Sequence, residues 1–259
     1  MTVEDPRTTA VTGLGHYVLG LGDDALVLSE RCAELITRSP TIEEDLAISN
    51  IALDLLGQAR GLLAHAGELE GAGRSEDDLA YLRLDTQFRN CALAEVPNGD
   101  FAFVMLRIYL LSEYFILRYA ALADSADSQL SAISAKALKE VSYHKLHARD
   151  WVIRLGRGTA ESAKRAQAAL ADAEPYFDEL FDDTWIHPDL ITAGIAVSEA
   201  ALRDQWQAAL DKTLSEADLE LPGASRPFSG ARHGRHTEHL GNLLALTQSL
   251  HRAHPGASW

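Results

Sequence analysis

An all-α fold is what this sequence predicts, and three observations predict it. Apolar residues recur with a helical period along nearly the whole chain, alternating Val, Ile and Thr runs are absent, and Gly and Pro gather at the joints. The first helix is expected over about 16–38, stopping at Ser39-Pro40. Thr41 then reads as an N-cap, with Glu43, Glu44 and Asp45 in a first turn whose dipole favours negative charge, and the second helix runs to about 69. GAGRSEDD is a polar loop, and a shorter helix or turn follows near 76–94. Pro97-Asn98-Gly99-Asp100 marks the next joint, where Asp100 can cap a third long helix, FAFVMLRIYLLSEYFILRYAALA, the most apolar segment. After a break at 124–127, a fourth long helix covers about 128–155 and stops at Gly156 and Gly158. Helical patterns also fit 159–183, 193–214 and 236–254, with a Gly-, Ser- and Arg-rich loop from Pro222 to Arg235.

Four long helices in two pairs, with one longer connection between the pairs, form the layout of a ferritin-like four-helix bundle. The expected organisation is a single domain over 1–259, its core bundle at about 16–155 and additional C-terminal helices at about 159–254 packed on it. A chain of 259 residues buries enough surface to need no staples.

The net charge of −15 argues against nucleic acid, whose phosphates require a basic footprint, and against an anionic membrane surface. Cys32 and Cys91 stand in no metal-binding spacing, which fits a reducing compartment. No basic start followed by an apolar run and no apolar stretch of spanning length is visible, so a cytoplasmic location is expected.

The informative residues are acids placed where leucines would be expected. Asp54 lies inside IALDLLG, on the side of Ala47, Ile51, Gln58 and His65. Glu113 lies inside YLLSEYFILRY, and Glu140 inside KALKEVSYHKL beside Lys136, Tyr143, His144 and His147. On the first helix, Glu30 and Glu34 are one turn apart. A buried carboxylate costs several kcal/mol unless it is paired, so one acid from each of four helices predicts a polar centre of Glu30, Asp54, Glu113, Glu140 and His144. The bland alternative is that each acid edges an apolar stripe and faces water.

Di-iron bundles arrange inward carboxylates in this way but also need Glu-x-x-His on two helices. Three residues after Asp54 stands Gly57, and three after Glu140 stands Tyr143, with His144 one further on. Both histidine positions are altered, so no metal and no catalytic residue is assigned, and the acids read as a vestigial polar core. Lys136, Gln58, Arg60, Arg118 or tyrosine hydroxyls are the expected partners of these acids.

Several segments then carry a family resemblance: LGDDALVLSER (21–31), DLAISNIALDLLGQAR (45–60), PNGDFA (97–102), ISAKALKEVSYH (133–144), HTEHLG (236–241) and HPGASW (254–259). In order and spread over nearly the whole chain, they resemble the C-subunit family of the multicomponent phenylacetyl-CoA 1,2-epoxidases, also described as ring-hydroxylating phenylacetyl-CoA oxygenases. The resemblance implies a ferritin-like fold and a place in aerobic phenylacetate catabolism. It implies a partner A subunit that carries the di-iron site and binds the CoA thioester. A small B subunit and an NADPH-dependent reductase with FAD and an iron–sulfur cluster complete the implied system. The C subunit is implied to be a diverged copy without iron, a structural partner rather than the catalyst.

The alternatives are a di-metal oxygenase or oxidase with an atypical ligand set from Glu30, Asp54, Glu113, Glu140 and His144, or a storage protein, which the missing histidines disfavour. The segment His236-Thr237-Glu238-His239 has two histidines at a metal-compatible spacing, but Thr237 reads as a cap, and the segment is a candidate partner contact. His144, Lys145 and His147 read as network-bonded rather than as an acid–base cluster. Trp185, Trp206 and Trp259 read as interface anchors or as core. Self-association is a further expectation, and the second and third helices look long and apolar enough to dock another bundle. No nucleotide-binding or hydrolase motif is present.

Overall fold

The structure is a computed structural model that describes residues 6–223 and 226–257, with side chains from residue 13 onward. Eleven α-helices form among these residues, and no strand does. The four long ones are α1 (Pro6–Ala33), α2 (Ile42–Glu70), α5 (Phe101–Leu122) and α6 (Ser128–Gly156). Between α2 and α5 lie α3 (Glu76–Tyr81) and α4 (Ala92–Glu95); after α6 come α7 (Ala160–Ala173), α8 (Pro188–Thr192), α9 (Arg203–Ala217), α10 (Glu238–Thr247) and α11 (Ser249–Ala253). Helix α1 packs along α2, α5 along α6, and α2 along α6, while α7 and α9 close over α5 and α6. Two short-looped hairpins joined by one long crossover make a ferritin-like bundle.

The caps behave as their side chains dictate. The Thr41 Oγ1 accepts from the Glu44 N–H at 3.4 Å, Asp100 from Phe103 at 3.1 Å and Asp127 from Leu130 at 2.7 Å. Gly71 ends α2 in the left-handed conformation, at φ 68°. Helix α5 is buried almost all round, as an apolar helix without a polar face must be. This corrects the docking expectation for the third helix: it is the bundle's centre and has no free face.

Other boundaries differ from the sequence pattern. The first helix extends back to Pro6 and stops at Ala33, where tighter bonds from Leu35 to Cys32 and from Ile36 to Ala33 replace the α ladder. The 76–94 segment divides into α3, a 3-10 turn at Asp85–Gln87 and α4. Residues 193–199 do not continue a helix, because the Asp183 carboxylate takes the Glu199 N–H at 2.6 Å and the Ser198 hydroxyl at 2.6 Å. The last helix breaks at Gln248, whose side-chain amide donates to the carbonyls of Ala80 and Arg83. Trp185 and Trp206 are core residues; Trp259 lies outside the described residues. No helix among the described residues is long and apolar enough to cross a membrane.

Helix α6 meets the end of α9 at Gly156, where a Cβ would stand 2.1 Å from the Ala217 carbonyl oxygen. That atom belongs to backbone and cannot swing aside. Gly156→Ala is therefore expected to cost about 1–3 kcal/mol in urea unfolding, the range of overpacked sites, despite alanine's better helix propensity.

Candidate functional site

The acids singled out in the sequence lie in two places. Three of them line the seam between α2, α5 and α6. Gln58 donates to Glu140 at 3.0 Å and accepts from the Tyr119 hydroxyl at 3.4 Å. Lys136 stands 3.6 Å from Glu140, His144 3.0 Å from Asp54, and Lys145 3.2 Å from Glu113. His147 Nε2 stands 3.0 Å from Glu44 Oε2, out of hydrogen-bond alignment. Each acid is held by a cation, an imidazole or an amide on a neighbouring turn or helix. The expected partners Lys136 and Gln58 are present; Arg60 instead holds Glu76, and Arg118 holds a different acid.

Burial shifts the ligand register from the one expected. The Asp54 side chain is 38 % exposed at the edge of α2, whereas Gln58 is buried beside Leu55. The buried i, i+3 pair of α2 is thus Leu55 and Gln58, not Asp54 and Gly57. On α6 it is Val141 and His144, not Glu140 and Tyr143. The carboxylate position is apolar on both helices, and one histidine position carries an amide. Lys145 places an ammonium, which has no lone pair, against the buried Glu113. This donor set does not fit a bridged metal pair. Among the described residues, no three His, Cys, Asp or Glu side chains converge as ligands.

Burial holds the His144 pKa below the usual imidazole range, even though Asp54 favours its charge.

Glu30 is not part of this seam. Half-buried on α1, it faces Thr247 of α10, and its Oε2 is shut off from solvent. Desolvation pushes its pKa up to about 8, against 4.5 when free. A raised carboxylate pKa means stability present below pH 4.5 and lost as pH rises toward 8, because the unfolded chain ionises first. Glu30→Gln is expected to remove that slope, leaving the variant more stable than wild type by on the order of a few kcal/mol above pH 8. Urea unfolding at pH 5 and pH 9 checks this; parallel profiles for the two proteins would contradict it.

The densest charge lies elsewhere, in groups that, Arg118 apart, sequence reasoning missed. Asp24, fully buried on α1, accepts from both Arg232 Nη atoms at 2.9 Å, from Arg118 at 2.9 Å and from the Cys91 N–H at 2.7 Å. Arg118 also reaches the Tyr114 hydroxyl at 3.1 Å and stands 3.7 Å from Glu199. The two guanidiniums lie over the rings of Tyr114 and Trp185. Burial opposes ionisation of Asp24, but Arg232 and then Arg118 outweigh it and hold its pKa below the usual range. Burial prevails at Glu199, which is pushed up to about 7. One residue earlier, Asp23 binds Arg83 and accepts from the Arg89 N–H at 2.8 Å.

The His236 segment completes this wall. His236 Nδ1 lies 2.6 Å from the buried Glu95 carboxylate and its Nε2 3.0 Å from the Phe88 carbonyl. Burial works against its charge, but Glu95 overcomes that and raises its pKa. The Thr237 N–H donates to Glu95 at 2.6 Å, and its side chain caps α10. Glu238 is exposed in the first turn, and His239 lines a cleft with Asp100 and Arg165. His236 precedes the helix, so the two histidines share no helical face. The preceding segment is a strap: Glu179 gathers the N–H groups of Ala92, Gly230 and Ala231 at 2.7–2.9 Å. Gly234, at φ 78°, passes so close to the Thr86 carbonyl that no Cβ fits.

Two comparisons bear on this architecture. The family described as phenylacetic acid catabolic protein matches residues 2–259. The chain is 44% identical over 246 residues, 95% of its own length and 99% of the other's, to the C subunit of the 1,2-phenylacetyl-CoA epoxidase of Escherichia coli (strain K12).

Proposed function

This chain belongs to the phenylacetic acid catabolic protein family, and from that premise we propose that it is the non-catalytic structural subunit of a phenylacetyl-CoA 1,2-epoxidase. It pairs in the cytoplasm with an iron-bearing A subunit in aerobic phenylacetate degradation. Iron and acyl-CoA belong to that partner, and flavin and the iron–sulfur cluster to a reductase; this chain holds no cofactor of its own. One observation carries the reading: the two buried i, i+3 pairs that would supply Glu-x-x-His are Leu55/Gln58 and Val141/His144. The acids that remain are tied to Gln58, Lys136, Lys145 and His144, which keeps the seam satisfied without a metal.

The test is metal content by elemental analysis, first of the chain alone and then of its complex with the A subunit. Iron only in the complex is the expected result. About two irons in the isolated chain would overturn the reading and favour a di-metal oxygenase with an atypical ligand set.

A further inference from the structure

Two groups that hold the C-terminal segment do so only with a proton on them. The first is His236. Its Nε2 stands 3.0 Å from the Phe88 carbonyl, which can only accept, so Nε2 carries a hydrogen. Its Nδ1 stands 2.6 Å from Glu95 Oε2. The Asn90 amide donates to that same oxygen at 2.8 Å, and the Thr237 N–H donates to Oε1 at 2.6 Å. Glu95 is thus an acceptor on every side, so Nδ1 supplies the hydrogen and the ring is an imidazolium. Without one of its protons, two lone pairs would face each other across one of the two contacts. The second group is Glu30 on α1, facing Thr247 of α10. Its Oε2 is closed off from solvent and takes no hydrogen bond, a place a neutral carboxyl tolerates far better than a charge.

The two points lie at opposite ends of one element: His236 precedes α10 and Thr247 ends it, with Leu240, Leu243 and Leu244 packed into the core between them. The other charged groups around them are accounted for. On α1, Asp23 is paired with Arg83, and Arg31 is engaged by Glu34 and by the Glu95 and His239 carbonyls. From α3, Tyr81 feels the charge of Glu30 and lies against His251 of α11, with Asp78 nearby. Tyr176 lies within the field of Glu95. The remaining ties, Gln248 and Arg252 to the carbonyls of Ala80, Tyr81 and Arg83, come from groups that do not titrate near neutral pH. We propose that the segment from His236 to Ala253 is a proton-dependent latch, closed on α1, α3 and α4 while His236 and Glu30 are protonated and opening as pH rises with the bundle intact. Burial works against the charge of His236, but Glu95 outweighs it and raises its pKa; desolvation pushes Glu30 up to about 8, against 4.5 when free. The open segment therefore releases these protons at lower pH than the closed one. Opening then gains up to about tenfold per pH unit for each proton, between the free and the closed pKa. The inference concerns this chain alone and does not depend on whether it is catalytic.

The experiment is hydrogen–deuterium exchange of the full chain at pH 6 and pH 8.5, corrected for the intrinsic exchange rate, with nitrogen-15 histidine spectra of the same protein. The α10 amides are expected to lose protection by about tenfold or more over that range. They should do so through an opening that low urea does not promote, while the α5 amides exchange only through urea-dependent global unfolding. The His236 signals, assigned by their loss in His236→Gln, should show both ring nitrogens protonated at pH 7. The double variant E30Q/H236Q holds neither proton, and its α10 exchange should no longer follow pH. Protection of α10 that ignores pH, α10 exchange that rises with urea in step with α5, a neutral His236 ring at pH 7, or a double variant that keeps the wild-type pH slope would each overturn the proposal.

Discussion

Replacing Arg232 with methionine is expected to destabilise the fold by about 3–5 kcal/mol, the usual cost of stranding a buried charge. Arg232 supplies both Nη donors to Asp24, at 2.9 Å each, and neither residue has solvent to fall back on. Without it, Arg118 alone faces two buried acids, Asp24 and Glu199. The deficit has a pH signature. Glu199, at about 7 against 4.5 when free, favours the fold below pH 4.5, and that contribution is lost as pH rises through 7. Removing a neighbouring cation raises its folded pKa further, so the penalty of R232M should be smaller at pH 5.5 than at pH 8. Arg232→Lys keeps the charge but not the fork, and should fall between. Urea unfolding of the three proteins at both pH values checks the order; a pH-independent loss would show that packing rather than charge is what Arg232 contributes.

Trp206→Ala should cost a similar amount, about 3–5 kcal/mol, through the cavity it leaves. The ring is 1% exposed, sits edge-on to Phe177 at 5.2 Å and to Phe181 at 5.3 Å, and its N–H donates to the Leu110 carbonyl at 3.1 Å. It fixes α9 to the central helix α5. An interface anchor would instead leave the isolated chain's stability unchanged and weaken only binding to the A subunit. Thermal unfolding of W206A, with binding to the A subunit measured on the folded fraction, separates the two roles.

The helices of the bundle were legible because long amphipathic or apolar runs, with Thr41 and Asp100 at two of their heads and a polar break before the fourth, leave little choice of structure. The ligand register was not. Asp54 and Glu140 are the acids that stand out in the apolar runs, but both sit a fraction of a turn off the buried stripe, and only the packing of α2 on α6 reveals Leu55 and Val141 at its centre. The Asp24 network escaped because its partners come from α5, from the turn before α9 and from the strap, none of them near in sequence. A signal existed: Asp23-Asp24 inside the apolar run of α1, and Arg118 inside that of α5, are charges that a core tolerates only in pairs. Residues 226–235 looked like a featureless loop because its order derives from Glu179 rather than from its own periodicity.

The strap's late position in the chain has a consequence for synthesis. Asp24 and Arg232 meet across 208 positions. All four bundle helices leave the ribosome before Arg232 is even translated. During that interval the nascent chain buries an aspartate with half of its guanidinium partners missing. The C-terminal segment therefore acts as a keystone: a polypeptide released early, or clipped within the strap, keeps every helix of the bundle yet lacks the charge that closes it. Such a fragment should be the species that chaperones retain and proteases remove.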